Sequence, residues 1–553
     1  MSTPLLQIQN LQIHFPLEAG TIEAVRGITF SLKKGETLGI VGESGSGKSV
    51  TALSILGLLP VPGQVAGGEI HFAPKEGEPI DLAKLPERQF QKIRGREIAM
   101  IFQEPATSLN PVFRCGGQVA GAIRLHGQAD KKEARKQVLT LFEKVKLPDP
   151  ERIYRSYPHQ LSGGQIQRVM IAMALSGNPS LLIADEPTSS LDVTVQKAIL
   201  ELMSELKTEW GGSTIFISHD LAVVAQVASR VLVMKNGEIV EQGRVGDIFN
   251  NPSHAYTKEL LRSSSQFSVG SSQFSVGSSQ FSVDKQQRAP IINVQNLSTW
   301  FPSKKNFFGK PKVYVKAVDD VKLDIFPGET LGLVGESGSG KTTLGRTILR
   351  LQEPSGGEVL YGEANLAELP AGEWKALRKD LQIIFQNPDA SLNPRLPVGP
   401  AIVEPMLVHG ILANENERRD RALELLETVG LEVSHFWRYP NEFSGGQRQR
   451  ICIARALAVE PKFIVCDECV SALDVTVQAQ VLHLLMKLKK EHGLTYLFIS
   501  HDLSVVRSIS DRIAVMKDGE IVELGDTEEV YNHPKSEYTK QLLAAIPGGV
   551  MKQ

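Results

Sequence analysis

Short, almost wholly apolar runs recur along the chain: TLGIVG at 37–42, LLIAD at 181–185 and STIFIS at 213–218. Their β-branched residues and lack of polar alternation predict parallel strands buried on both faces. Between them, KKEARKQVLTLFEKV at 131–145 spaces its apolar residues by three and four. That spacing predicts an amphipathic helix, with the Lys and Arg cluster on a solvated face. Strands alternating with helices predict an α/β fold. No stretch approaches the roughly 18 consecutive apolar residues of a membrane-spanning helix. The opening MSTPLLQIQN has no basic segment followed by an apolar run, so no signal peptide is expected.

The pattern occurs twice. GIVGESGSGKS starts at Gly39 and GLVGESGSGKT at Gly332, 293 residues on. LSGGQ (161–165) is matched by FSGGQ (443–447), LLIADE (181–186) by FIVCDE (463–468), and FISHDL (216–221) by FISHDL (498–503), each 282 residues on. Most of the 11-residue fall in offset is expected around PVPGQVAGGEIHF in the first copy. The period is far longer than that of a solenoid repeat, so this is a duplicated domain. The domains are read as 1–262 and 289–553, joined by a linker at 263–288 that holds three tandem heptads, SSQFSVG, SSQFSVG and SSQFSVD. Their Ser/Gly content favours a flexible coil with a reach of roughly 25–30 Å. The Phe and Val in each heptad leave a docking strand open.

Charge narrows the function. Among 553 residues, 60 are Lys or Arg and 62 are Asp or Glu, a net charge of −2. The chain lacks the basic excess of a protein that grips nucleic-acid phosphates. Its 4 cysteines, at 115, 452, 466 and 469, are too few for a disulfide scaffold and suit a reducing compartment.

Gly42-Glu43-Ser44-Gly45-Ser46-Gly47-Lys48-Ser49 and Gly335-Glu336-Ser337-Gly338-Ser339-Gly340-Lys341-Thr342 both fit G-x-x-x-x-G-K-[ST], between an apolar strand and a helical pattern. The glycines allow a tight turn whose backbone N–H groups face phosphate oxygens, and the helix N-terminus adds partial positive charge. Lys48 and Lys341 would reach the β- and γ-phosphates of a nucleotide, while Ser49 and Thr342 would offer a hydroxyl to Mg²⁺. Asp185 and Asp467 end apolar strands and are expected to hold Mg²⁺. Glu186 and Glu468 follow, placed to polarise a water beside the γ-phosphate.

LSGGQIQR (161–168) and FSGGQRQR (443–450) open helical runs. Together with the P-loop, the acidic pair and HDL they resemble the ATP-binding cassette (ABC) ATPases over nearly all of both halves. The resemblance implies two tandem P-loop NTPase domains, each a RecA-like α/β core with an antiparallel β segment and a helical subdomain. It implies that the cassettes pair head to tail. Ser162, Gly163, Gly164 and Gln165 would cover the nucleotide on Lys341, and Ser444, Gly445, Gly446 and Gln447 the one on Lys48. His219 and His501 would contact the γ-phosphate, and Gln103 and Gln386 would reach Mg²⁺ and the attacking water. Asp192 and Asp474 match the loop that crosses between halves. Phe15 and Phe301 lie where the family places an adenine-stacking aromatic, though either could be core.

QEPATSLNP (103–111) and QNPDASLNP (386–394), with NPSHAYTKELL (251–261) and HPKSEYTKQLL (533–543), look like the oligopeptide, dipeptide and nickel importer ATPases. Fusion of the two ATPases resembles the glutathione-type and microcin C-type peptide importers. The implied partners are two integral membrane permease subunits and an extracytoplasmic peptide-binding protein, with the chain peripheral on the cytoplasmic face of the inner membrane. An importer ATPase for another solute, such as nickel or sugar, fits the same motifs. A soluble tandem cassette acting on ribosomes or DNA fits them less well, given the Ser/Gly linker and the absence of a zinc-spaced cysteine set. Cys469 stands where the family usually has Pro; Cys466 and Cys469 are expected to be buried thiols. No Lys, Glu or His is missing from either half, so both sites are expected to hydrolyse ATP.

Overall fold

The computed structural model describes residues 4–17, 20–127, 129–189, 191–268, 289–305, 311–471 and 473–546. The chain divides into two compact units, Met1–Leu191 with Val195–Ser265, and Gln266–Gln553 with which Asp192–Thr194 is grouped. Most of the 263–288 segment lies outside the described residues, but its first six residues belong to the helix Ala255–Ser268.

In the first unit a six-stranded sheet runs in the order Glu238–Arg244, Arg230–Lys235, Thr37–Val41, Ser213–Ser218, Leu181–Asp185, Ile98–Ile101. All neighbours are parallel except the first pair. Every residue of Thr37–Val41, Leu181–Asp185 and Ser213–Ser218 is buried. Successive side chains point to opposite faces of a strand. Leu181, Ile183, Ile215 and Ile217 accordingly enter one core, while Leu182, Ala184 and Phe216 enter the other. A strand buried on both sides carries apolar side chains on both faces, which is why these runs lack polar alternation.

The first core lies against an antiparallel sheet of Gly20–Leu32, Leu6–Leu17, Gln64–Phe72 and Ile80–Asp81. The other core is covered by helices, among them Cys115–His126, Lys131–Lys144 and Gly163–Leu175. The helix expected at 131–145 spans Lys131–Lys144. Asp130 caps its start, and Ala134, Val138 and Phe142 are buried on one stripe.

The second unit repeats this plan. Its sheet order is Leu381–Ile384, Phe463–Asp467, Thr495–Ser500, Thr330–Val334, Arg512–Lys517, Glu520–Asp526, beside an antiparallel sheet that begins with Ile292–Lys305 and Pro311–Ile325. Strand register relocates the length difference between halves. Leu6 pairs with Phe72 and Ile292 with Tyr361, so Phe72 and Tyr361 correspond, 289 apart. Ile98 and Leu381, the first residues of matching strands, are 283 apart. The stretch around PVPGQVAGGEIHF therefore holds four extra residues and the segment 73–97 holds six, so most of the fall lies in the later loop. Among the described residues no helix is long and apolar enough to cross a membrane.

Candidate nucleotide sites

The motifs meet at the carboxyl ends of the parallel strands, where open α/β sheets form their ligand crevice. After Val41 the chain turns through Gly42–Gly47 into the helix Lys48–Ile55. Gly47 has a left-handed φ of 99°, and a Cβ there would stand 2.7 Å from the Ala24 carbonyl. At Gly42 a Cβ would stand 2.2 Å from the Met234 carbonyl. Both positions exclude a side chain.

Lys48 is 4% exposed, and its ammonium donates to the carbonyls of Gly42 and Glu43, each at 2.7 Å. Lys341 repeats this at 2.8 Å with Gly335 and Glu336, and burial lowers its pKa. A buried cation beside a glycine turn at a helix start is a setting that fits a polyphosphate.

Ser49 donates to Asp185 at 3.0 Å, and Thr342 to Asp467 at 2.7 Å. Hydroxyl and carboxylate oxygens are the hard donors that a divalent cation takes. Burial, aided by the neighbouring Glu186 charge, raises the Asp185 pKa to about 6 against the Ser49 hydrogen bond. Burial also raises Asp467, opposed by Thr342 and by Arg346, whose guanidinium lies 3.8 Å away.

Glu186 follows its strand with φ 46°, and Glu468 has the same value, a left-handed conformation that is strained for a side-chain-bearing residue. Gln103 donates to Glu186 Oε2 at 3.0 Å, and His219 Nδ1 lies 3.2 Å from the same oxygen. In the second unit Gln386 lies 2.7 Å and His501 Nδ1 3.5 Å from Glu468 Oε2. Burial raises the pKa of each glutamate, but the histidine contact and the P-loop lysine outweigh it, so both lie below the usual carboxylate value. Burial lowers each histidine, but its glutamate outweighs that and the net shift is upward.

Ser162 caps the helix Gly163–Leu175: its Oγ accepts from the Gln165 N–H at 3.4 Å, and Gln165 Oε1 accepts from the Ser162 N–H at 3.3 Å. Ser444 and Gln447 form the same reciprocal box. A Cβ on Gly164 would stand 2.7 Å from Val195, and one on Gly446 2.2 Å from Val477. Asp474 caps the helix Val475–His492.

Phe15 pairs with Ile22, two residues before Ala24, whose carbonyl faces Gly47. Phe301 pairs with Val315, two residues before Ala317, whose carbonyl faces Gly340. The two aromatics therefore hold equivalent places on the sheet beside each P-loop. Phe15 packs partly into the core, whereas Phe301 is 36% exposed. All four cysteines are buried.

Three contacts escaped the motif reading. Tyr256 and Tyr538 reach the P-loops from the end of each unit, and Arg346 sits beside Asp467 where the first copy has Leu53. The recurrence of AYT and EYT at matching places was the signal for the tyrosines.

The ABC transporter model matches residues 25–189 and 318–471, over half the chain. This chain belongs to the ABC transporter family. A second model, oligopeptide/dipeptide transporter, C-terminal region, matches residues 240–280 and 522–550. The glutathione import ATP-binding protein GsiA of Escherichia coli (strain K12) is 48% identical over 558 residues, covering 98% of this chain and 89% of that protein. GsiA of Salmonella choleraesuis (strain SC-B67) is 48% identical over 561 residues, covering 99% and 90%. A solved dimeric ATP-binding cassette bound to ADP and Pi is 33% identical, with TM-score 0.39, over 43% of this chain and 98% of that one. As an ABC-family ATPase, the chain binds ATP and hydrolyses it to ADP and phosphate.

Proposed function

We propose that this chain is the ATP-hydrolysing subunit of an importer of small peptides, glutathione or its like among them, working beneath two integral membrane permease subunits fed by an extracytoplasmic peptide-binding protein. The observation that carries this reading is the 48% identity to glutathione import ATP-binding proteins across 98% of the chain. The oligopeptide/dipeptide match at the end of each cassette supports it.

In this reading Lys48 and Lys341 bind the β- and γ-phosphates, and Phe15 and Phe301 stack on adenine. Ser44, Gly45 and Ser46, with Ser337, Gly338 and Ser339, line the phosphate turn. The helix starts at Ser162–Gly164 and Ser444–Gly446 offer N–H groups that suit a γ-phosphate. Glu186 and Glu468 stay ionised at neutral pH and take the proton of the attacking water. Gln103 and His219 aim the Glu186 carboxylate by holding one of its oxygens; Gln386 and His501 do the same for Glu468. Ser49, Asp185 and Gln103, with Thr342, Asp467 and Gln386, would hold Mg²⁺, which offsets charge on the phosphate oxygens. Loss of the γ-phosphate then shifts the transporter between its two states.

The test is uptake of radiolabelled glutathione and of short peptides into vesicles that hold the chain, its copurified membrane subunits and the binding protein. ATP-dependent uptake is expected for the native chain and none for Glu186→Gln with Glu468→Gln. ATP turnover without transport of either solute would overturn the peptide assignment while leaving the ATPase in place.

A further inference from the structure

Each cassette ends in a segment that folds back onto its own P-loop. In the first, Glu241 accepts hydrogen bonds from the Ser253 N–H and hydroxyl, both at 2.7 Å, and from the His254 N–H at 3.1 Å. The helix Ala255–Ser268 starts there. Tyr256, 2% exposed, lies with its ring centroid 4.4 Å from Lys235 Nζ, and its hydroxyl accepts from the Glu43 N–H at 2.9 Å.

The second cassette builds the same contact. Glu523 accepts from the Lys535 and Ser536 N–H groups at 2.8 and 3.0 Å. Tyr538, 7% exposed, lies 4.9 Å from Lys517 Nζ, and its hydroxyl accepts from the Glu336 N–H at 3.0 Å.

The peptide group involved is not incidental. The Glu43 N–H belongs to the same peptide plane as the Gly42 carbonyl, which accepts from Lys48 at 2.7 Å. The tyrosine therefore holds one end of that plane and the lysine the other. Glycine's wide backbone freedom makes a peptide after glycine easy to rotate. Rotation would swing the Gly42 carbonyl away from Lys48 and turn an N–H toward the ammonium. The Gly335–Glu336 plane stands in the same relation to Lys341 and Tyr538.

We propose that Tyr256 and Tyr538 are positioning residues of the nucleotide sites. Their hydroxyls lock the first P-loop peptide so that its carbonyl keeps the lysine aimed into the phosphate turn. The C-terminal segment of each cassette is in this way a working part of the ATP site. The inference rests on Lys48 and Lys341 holding nucleotide, and the experiment separates the two claims.

Binding of trinitrophenyl-ATP is measured on the full chain carrying Lys341→Ala, which leaves the Lys48 site, and on the full chain carrying Lys48→Ala, which leaves the other. Adding Tyr256→Phe is expected to weaken binding about five-fold in the Lys341→Ala chain, the size of one neutral hydrogen bond. It is expected to leave the Lys48→Ala chain unchanged. Tyr538→Phe should give the reciprocal pattern, and serves if Tyr256→Phe lowers the yield of folded protein. A purely structural role would lower the melting temperature without this site selectivity. Unchanged affinity in the matching background, or an equal loss in both, overturns the proposal. No binding by the unaltered chain overturns the nucleotide-site reading beneath it.

Discussion

The two cassettes share a P-loop, a Gln–Glu–His cluster and a capped SGGQ helix, yet they differ around the acidic strand. Beside Asp467 the P-loop helix supplies Arg346, whereas the first copy has Leu53. Pro187 follows Glu186, whereas Cys469 follows Glu468, and Met170 and Ala184 correspond to the buried Cys452 and Cys466. The groups kept identical bear on the phosphate turn or hold the glutamate. The groups that vary fill the core or alter the charge beside the aspartate that ends the strand. Duplication has preserved the chemistry and let its support drift.

The largest expected effect tests whether the sites are equivalent in turnover. Glu186→Gln with Glu468→Gln should lower ATP hydrolysis by about 10²–10⁴-fold, the usual contribution of a positioned base. Each single variant should lower it to the same extent. A single variant with unchanged turnover, read by phosphate release, would mean that only one cassette works.

The next effect separates the two aspartates. Burial lifts Asp185 to about 6, above its ordinary 3.8, so its ionised form costs stability in the absence of nucleotide and metal. The cost is absent below about pH 4, grows up to about pH 6 and is full above it. Asp185→Asn should therefore stabilise the first cassette at pH 7.5 by about 2–3 kcal/mol, and by almost nothing at pH 4. Asp467→Asn should gain less, because Arg346 already offsets that charge. Thermal melting in a chelator checks both, and equal gains would show that Arg346 does not bear on Asp467.

The smallest effect should be the same in both halves. Ser162→Ala and Ser444→Ala each remove a capping acceptor and should cost about 1 kcal/mol. Denaturant unfolding of each variant measures it, and a large difference would mean that one box is held by something besides its cap.

Much of this was legible in the sequence because the chemistry sits in contiguous runs. A P-loop, a doubly buried strand and an acidic pair each occupy a few consecutive residues. Gln103 and His219 were placed only by resemblance, since they lie 83 and 33 residues from the glutamate they share and no local pattern joins them. The Tyr256 contact spans 213 residues and depends on how the last helix folds back, which periodicity cannot express. Arg346 sits on a helix, KTTLGRTI, that differs from its partner KSVTALSI at most positions, so this one change among several carried no signal of its own. The misplaced length difference has a similar origin. Loop residues lack periodicity, and only strand register fixes where an insertion lies.

The central claim is that one chain holds two complete nucleotide sites. Equilibrium binding of radiolabelled ATP to the chain carrying both Glu186→Gln and Glu468→Gln, in which hydrolysis is expected to be too slow to deplete the ligand, tests it most directly. Saturation at two ATP per chain is predicted; saturation at one, or none, would contradict it.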